Sequence, residues 1–311
     1  MSINSKKIVL IGRPEVGKTS VKQVIFEGIS PQDLIETPLK PTRGLATSQY
    51  NWLDLDCVIF DTAGQNYQDI FVQEKKQLRI FGGSSIILYL FDYIAWVEEE
   101  DKEVILKDIA TIQEILAQGD YKSELILFLH KFDLVQEGER KKFIAEVSEE
   151  IKKEFGERIF FTSIVPKLIY SLYSAIYEIL STFSEKRAIL KEVLDENIKE
   201  LSNSMFFITN ENNNIIAQTM TKDFEISYIH TIHYLIAQLN ETLEEMKETD
   251  QINHLILQTR EELNIIMNFL DLEEFKLKNL ILISETLTSN KLIWKAGDIS
   301  RVLNKKIKYG R

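Results

Sequence analysis

The sequence predicts an α/β domain, a mostly parallel sheet with helices on both faces, followed by a smaller α+β unit. Three observations carry this reading. Short β-rich apolar runs alternate with helical segments through the first 184 residues, the order that right-handed crossovers turn into a parallel sheet. A glycine-bearing loop joins the first apolar run to the first helix. Beyond that stretch the turn residues thin out: all five prolines and ten of the twelve glycines precede residue 167, and no glycine occurs from Arg158 to Ala296. The change of texture predicts two domains, 1–184 and 185–311.

The elements follow in order. Residues 7–11 read as a buried strand and 18–26 as the helix after it. Residues 50–55 alternate by halves and precede the strand 56–60. The wholly apolar run 86–91 is a central strand, and 102–117 places apolar residues at helical spacing. A strand at 125–129, a charged amphipathic helix at 140–155, a strand at 159–162 and a helix at 168–183 complete the first part. The second part reads as a helix (185–201), a hairpin (205–209 with 215–219 around Asn210-Glu211-Asn212-Asn213-Asn214), and a long helix (223–247). Strands at 252–259 and 263–269, an apolar run at 280–284 and a last helix at 291–306 close the chain.

Composition excludes several classes. Of 311 residues, 44% are apolar and 27% charged, ordinary for a folded protein. Thirty-seven basic against 48 acidic residues give a net charge of −11, which leaves no broad electrostatic grip on nucleic acid or anionic lipid. The single cysteine, Cys57, lies in the apolar run Cys57-Val58-Ile59-Phe60 and reads as a buried thiol, with no intramolecular disulfide and no zinc site of its own. The N-terminus lacks a signal-peptide core, Ser2 stands where myristoylation needs glycine, and Tyr309-Gly310-Arg311 offers no prenylatable cysteine. The oily stretch 84–97 contains Asp92 and is too short to span a bilayer. The expectation is a cytoplasmic protein without an intrinsic membrane anchor.

Gly12-Arg13-Pro14-Glu15-Val16-Gly17-Lys18-Thr19 fits G-x-x-x-x-G-K-[ST], a pattern that chance places in about one chain in a hundred of this length. It follows an apolar strand and opens a helix, where consecutive main-chain N–H groups and the positive helix end can face phosphates. Lys18 would neutralise β/γ charge; the hydroxyl of Thr19 would ligate magnesium, and Ser20 closes the loop. Pro14 removes one N–H from the cradle. Asp61-Thr62-Ala63-Gly64-Gln65 follows the strand ending at Phe60. There Asp61 can hold a magnesium-bound water, Gly64 can offer its N–H to a γ-phosphate, and Gln65 can orient the attacking water.

His130-Lys131-Phe132-Asp133 follows the strand 125–129. The Asp133 carboxylate can accept two hydrogen bonds from guanine N1–H and N2–H₂, whereas adenine would leave it unpaired. Lys131 would lie along the purine, and Thr162-Ser163-Ile164 would supply an N–H to guanine O6. His130 alone reads as a satisfied histidine at a strand end rather than a metal ligand.

Together these residues resemble a Ras-superfamily GTPase. The stretch from His130 to Glu137 narrows the resemblance to the Rag/Gtr branch, as does Thr162-Ser163-Ile164. Most small GTPases have Asn or Thr where His130 stands and end the later motif in Ser-Ala-Lys. The resemblance implies a P-loop GTPase domain followed by a roadblock-type domain. It also implies that Thr42 in Pro41-Thr42-Arg43-Gly44 is the switch threonine, binding magnesium and sensing the γ-phosphate, with Thr47 as runner-up. It implies GTP or GDP as ligand, slow hydrolysis, and pairing with a like or related GTPase through 185–311. An activating protein and a roadblock/longin-type adaptor that brings the chain to a membrane are implied as further partners. Arg13 and Pro14 depart from the small residues usual in the loop. No arginine finger is evident within the chain; Arg13 and Arg43 read as surface arginines.

Other features have plainer readings. Glu98-Glu99-Glu100-Asp101 reads as a solvated helix start, and His230 with His233 as core or interface residues. Two further functions remain open: a nucleotide-occupied scaffold that barely hydrolyses, and an ATP-dependent phosphotransferase, which Asp133 disfavours.

Overall fold

A computed structural model describes residues 5–29, 31–36, 45–52, 55–62, 67–210, 215–224, 253–260, 263–272 and 277–309. The chain divides into two compact units, Met1–Ala175 and Ile176–Arg311. The division falls earlier than the texture of the sequence suggests, inside the helix Ile169–Ser181. The later half of that helix belongs with the second unit, where the Arg187 guanidinium stacks 4.7 Å from the ring centroid of Tyr177.

The first unit holds a six-stranded sheet in the order β2-β3-β1-β4-β5-β6. Its strands are β1 (Ser5–Gly12), β2 (Leu45–Trp52), β3 (Leu55–Thr62), β4 (Ile86–Asp92), β5 (Glu124–His130) and β6 (Arg158–Phe161). Only β2 runs antiparallel to its neighbour; every other pairing is parallel. The apolar runs explain the order. Every residue of β4 is buried, as are six of the seven in β5, which suits strands covered on both faces. The edge strand β2 alternates half-buried and exposed residues from Ala46 to Tyr50.

The helices of this unit are α1 (Lys18–Phe26), α2 (Pro31–Glu36), α3 (Gln68–Val72), α4 (Glu74–Phe81), α5 (Tyr93–Val97), α6 (Glu99–Gln118), α7 (Arg140–Phe155) and α8 (Ile169–Ser181), the last crossing into the second unit. Sequence periodicity does not reveal α2, α3, α4 or α5, because five to eight residues are too few to display a helical repeat. The α6 helix starts three residues before its apolar period, at Glu99. Acids in its first turn suit the positive helix end.

In the second unit, β7 (Ser204–Asn210), β8 (Ile215–Met220), β9 (His254–Gln258), β10 (Asn264–Leu272) and β11 (Leu277–Ser284) form an antiparallel sheet in the order β8-β7-β11-β10-β9. Two helices, α9 (Glu185–Ile198) and α10 (Ser289–Tyr309), pack on the sheet and on each other. Their Leu190, Val193, Leu194, Leu292, Ala296, Ile299 and Leu303 are buried, as are Phe206, Ile208 and the apolar residues of β11. The hairpins at β7–β8 and β9–β10 lie where the sequence places them. The helix expected over 223–247, with His230 and His233, lies outside the described residues apart from its first two positions. Among the described residues, no helix is long and apolar enough to cross a membrane.

Candidate nucleotide site

The site assembles at the C-terminal ends of β1, β3, β4, β5 and β6, where open α/β sheets place their ligands. The loop between β1 and α1 is shaped by its two glycines. A Cβ at Gly12 would sit 2.2 Å from the Leu90 carbonyl oxygen, so only glycine lets β1 run this close to β4. Gly17 is left-handed (φ +96°), and a Cβ there would meet the His130 ring at 2.5 Å. The residue that precedes α1 is Gly17, which has no side chain to cap the helix. Pro14 and Glu15 are exposed at the loop tip, and Val16 is buried beneath it.

Lys18 is buried and folds back over the loop, its Nζ donating to the carbonyls of Gly12 at 2.9 Å and Arg13 at 2.6 Å. Burial lowers its pKa to about 8, and the nearby Asp61 charge opposes the shift. One residue on, Thr19 Oγ1 donates to Asp61 Oδ2 at 2.8 Å. Asp61 is 1% exposed at the end of β3, and Thr62 Oγ1 ties that end to the Leu10 carbonyl at 2.9 Å. A hydroxyl and a carboxylate meeting beside a phosphate loop form the hard oxygen pair that suits Mg²⁺.

A second group of side chains comes from the ends of β5 and β6. His130 is buried with Nδ1 2.9 Å from Thr162 Oγ1, and burial pushes its pKa down to about 4, so the ring is neutral near pH 7. Its opposite edge closes on Gly17, joining this group to the phosphate loop. Lys131 is left-handed (φ +54°), which turns the chain sharply into Phe132–Leu134. Its Nζ reaches Asp92 Oδ2 at 2.8 Å, while Asp92 Oδ1 caps α5 by accepting from Ala95 N. Asp133 accepts from Ser163 Oγ, which in turn accepts from Val165 N at 2.9 Å. Main-chain bonds from Phe132 N to Thr162 O and from Thr162 N to Leu129 O fasten the two segments together.

The structure therefore brings together Gly12, Arg13, Gly17, Lys18, Thr19 and Asp61 on one side and His130, Lys131, Asp133 and Ser163 on the other. Ile164 follows directly, half-buried. Thr42, Gly64 and Gln65 lie outside the described residues, as does Arg43. Thr47, expected ahead of the edge strand, lies within β2 opposite Phe60 and is exposed, because pairing with β3 extends that strand back to Leu45.

Two expectations about charge need correction. Arg13 is not a solvated surface arginine: its Nη1 pairs with Asp101 at 2.7 Å, and its Nε lies 3.9 Å from Asp108 Oδ2. Asp101 is accordingly more than a solvated helix start. The sequence reading also passed over Asp92, Tyr67, Tyr89 and Asp108. A signal existed for the two acids. Asp92 ends an otherwise apolar strand, and Asp108 is the acid among the buried positions of α6, beside Ile105, Ile109 and Ile112.

A family model described as the Gtr1/RagA G protein conserved region matches residues 7–236. The chain is 26% identical to "Ras-related GTP-binding protein A" of Dictyostelium discoideum over 176 residues, 55% of this chain and 56% of the relative. It is 29% identical to "GTP-binding protein GTR1" of Saccharomyces cerevisiae over 221 residues, 67% and 66%. It is 25% identical to "Ras-related GTP-binding protein B" of Rattus norvegicus over 206 residues, 55% and 53%. The chain thus spans between about half and two thirds of the length of the curated relatives it matches. With a family match covering most of its length and the phosphate loop in place, the chain belongs to the Gtr1/RagA family of small G proteins.

Proposed function

We propose that the chain is a guanine-nucleotide switch that binds GTP or GDP with Mg²⁺ and hydrolyses GTP slowly. One observation carries the reading: Asp133 and Ser163, paired at the ends of β5 and β6, are joined to the phosphate loop by the His130 ring packed on Gly17. The carboxylate this reading gives to the purine and the loop it gives to the phosphates are thereby linked through neighbouring residues.

In this mechanism the Lys18 ammonium exchanges two loop carbonyls for phosphate oxygens, a stronger charge-assisted contact. Thr19 and Asp61 would hold the metal, Asp61 through a water, and Thr42 would supply a further oxygen when the γ-phosphate is present. Mg²⁺ held by these residues would supply positive charge beside the phosphates. Gln65 orients the attacking water, and Gly64 offers its N–H to the γ-phosphate, so that phosphate loss releases the segment beyond. Asp133 accepts from the guanine edge, Lys131 lies along the ring, and Ile164 N–H meets O6. Arg13 is engaged by Asp101, so hydrolysis is slow until an activating protein contributes an arginine.

The second unit serves pairing with a like or related chain through residues 185–311. Among the described residues β9 pairs with β10 alone and ends the sheet, and strand addition along that edge is the pairing this reading favours. Recruitment to a membrane through a roadblock/longin-type adaptor, from a cytoplasmic pool, completes the proposal.

The engagement of Arg13 also favours a second reading, a nucleotide-occupied scaffold with negligible hydrolysis. Phosphate release in a single turnover separates the two. The switch reading expects Gln65→Leu to slow release by at least about tenfold. A variant indistinguishable from the natural chain overturns hydrolysis by Gln65 and leaves the scaffold.

A further inference from the structure

Arg13 and Pro14 depart from the small residues usual in a phosphate loop, and a cradle of main-chain N–H groups calls for neither side chain. The structure gives the arginine a use. Its Nη1 pairs with Asp101 Oδ1 at 2.7 Å, and its Nε lies 3.4 Å from the Tyr67 oxygen and 3.9 Å from Asp108 Oδ2. Both acids belong to α6, about two turns apart on one face. Asp108 is 7% exposed, and the hydroxyls of Tyr67 and Tyr89 both donate to its Oδ2, that of Tyr89 at 3.0 Å. Burial raises the pKa of each phenol, which keeps both protonated as donors. A buried carboxylate needs such donors, and together they hold it beside the guanidinium.

The anchor on α6 is stiff. Ile105, Ile109 and Ile112 lie in the core of the first unit, and Lys102 pairs with Glu150 of α7 at 2.7 Å. On the loop side, Gly12 is pressed against the Leu90 carbonyl, and Pro14 fixes its own φ and keeps Arg13 from helical backbone angles. The Arg13 carbonyl accepts from Lys18 Nζ at 2.6 Å. Arg13 is thus tied by its side chain to α6 and by its main chain to the helix end of the loop.

We propose that Arg13 is a positioning residue for nucleotide binding: its guanidinium, clamped on Asp101 and Asp108, fixes the main chain of the phosphate loop before the ligand arrives. The inference rests on the reading of this loop as the phosphate cradle, and it gives the Arg13 side chain no contact with the nucleotide. A loop ordered in advance loses less freedom on binding, and the backbone freedom of one residue corresponds to about tenfold in affinity.

The test follows three quantities on the full chain: GDP affinity with a fluorescent analogue, hydrogen exchange of the peptide 12–19 without nucleotide, and melting temperature. Arg13→Ala is expected to weaken GDP about tenfold and to speed exchange of the loop amides by a similar factor. Tyr89→Phe takes a donor from Asp108 without touching Arg13. It should lower the melting temperature and leave GDP affinity and loop exchange within about twofold. Asp101→Asn removes the charge that holds Nη1 and should weaken GDP about threefold; it carries the comparison if Arg13→Ala does not fold. Because Asp101 acts through Arg13, adding Asp101→Asn to Arg13→Ala should weaken GDP no further.

Unchanged GDP affinity in Arg13→Ala overturns the inference, whatever happens to the melting temperature. So does weaker binding with unchanged loop exchange, an equal rise in loop exchange in Tyr89→Phe, or an Asp101→Asn loss that adds to that of Arg13→Ala. If Lys18→Ala weakens GDP and Arg13→Ala does not, this inference alone fails. If Lys18→Ala leaves GDP affinity intact, the reading of the loop as a phosphate cradle fails and takes this inference with it.

Discussion

The two units treat buried polar groups in opposite ways. In the second, such groups pair with neighbours inside the sheet: Ser204 Oγ with Ser284 Oγ at 2.8 Å, Asn279 Nδ2 with Thr209 Oγ1 at 3.1 Å, Arg187 Nε with the Ile216 carbonyl at 2.9 Å. These bonds join strand to strand and helix to strand. In the first unit, Lys18, Asp61, Asp92, His130 and Ser163 are equally buried but gather at one rim of the sheet, Lys18 at the start of α1 and the others at or just past a strand end. Several make bonds a ligand can replace, Lys18 on loop carbonyls and Thr19 on Asp61 above all. Buried polar groups that share one rim mark a ligand site; buried polar groups that pair across a sheet mark a fold.

Perturbing each unit should sharpen that contrast. The largest effect is expected from Lys18→Ala, which removes the cation from the cradle. GDP affinity, followed with a fluorescent analogue, should fall about a hundredfold, while the melting temperature without nucleotide holds or rises because a buried charge is gone. A loss below about threefold would mean that Lys18 serves the loop's structure and not the phosphates.

A pH titration comes next. In the free chain burial holds the Lys18 pKa near 8, and phosphate oxygens favour the ammonium and raise it. Below pH 8 the group is already protonated, so affinity should be level from pH 6.5 to 7.5. Above pH 8 each binding event takes up a proton, and affinity should decline toward about tenfold per pH unit. A level profile through pH 9, or one that rises, contradicts the assignment.

The smallest effect on binding is expected in the second unit. Ser204→Ala removes a donor that reaches Ser284 and the Ser202 carbonyl. It should cost about 1 kcal/mol of stability by thermal unfolding and leave nucleotide affinity within about twofold. Loss of nucleotide binding in this variant would break the contrast between the units.

What was legible in the sequence depended on how local the physics is. The loop from Gly12 to Thr19 can be read because strand, turn and helix start lie within a few residues of one another. Asp133 and Ser163 can be read because each follows an apolar strand, and parallel strands bring their C-terminal ends together whatever their separation in sequence. The long helices α6 and α7 repeat often enough to show a period; α2 through α5 do not. The group of Arg13, Tyr67, Tyr89, Asp101 and Asp108 has no local signature, since its members come from a loop, a short helix start, a strand and one long helix. Only the acid on the apolar side of α6 hinted at it. The role of His130 was half legible: its place at a strand end can be read, but its contact with Gly17 is tertiary.

The central claim is that a carboxylate at the end of β5 selects guanine for a phosphate held between β1 and α1. Competition binding of GDP, XDP and ADP to the natural chain and to Asp133→Asn tests it most directly. The natural chain should favour GDP over both competitors, and Asp133→Asn should weaken GDP by about tenfold to a hundredfold and bind XDP better than GDP. Equal affinity for ADP and GDP in the natural chain, or an unchanged preference in the variant, would contradict the account.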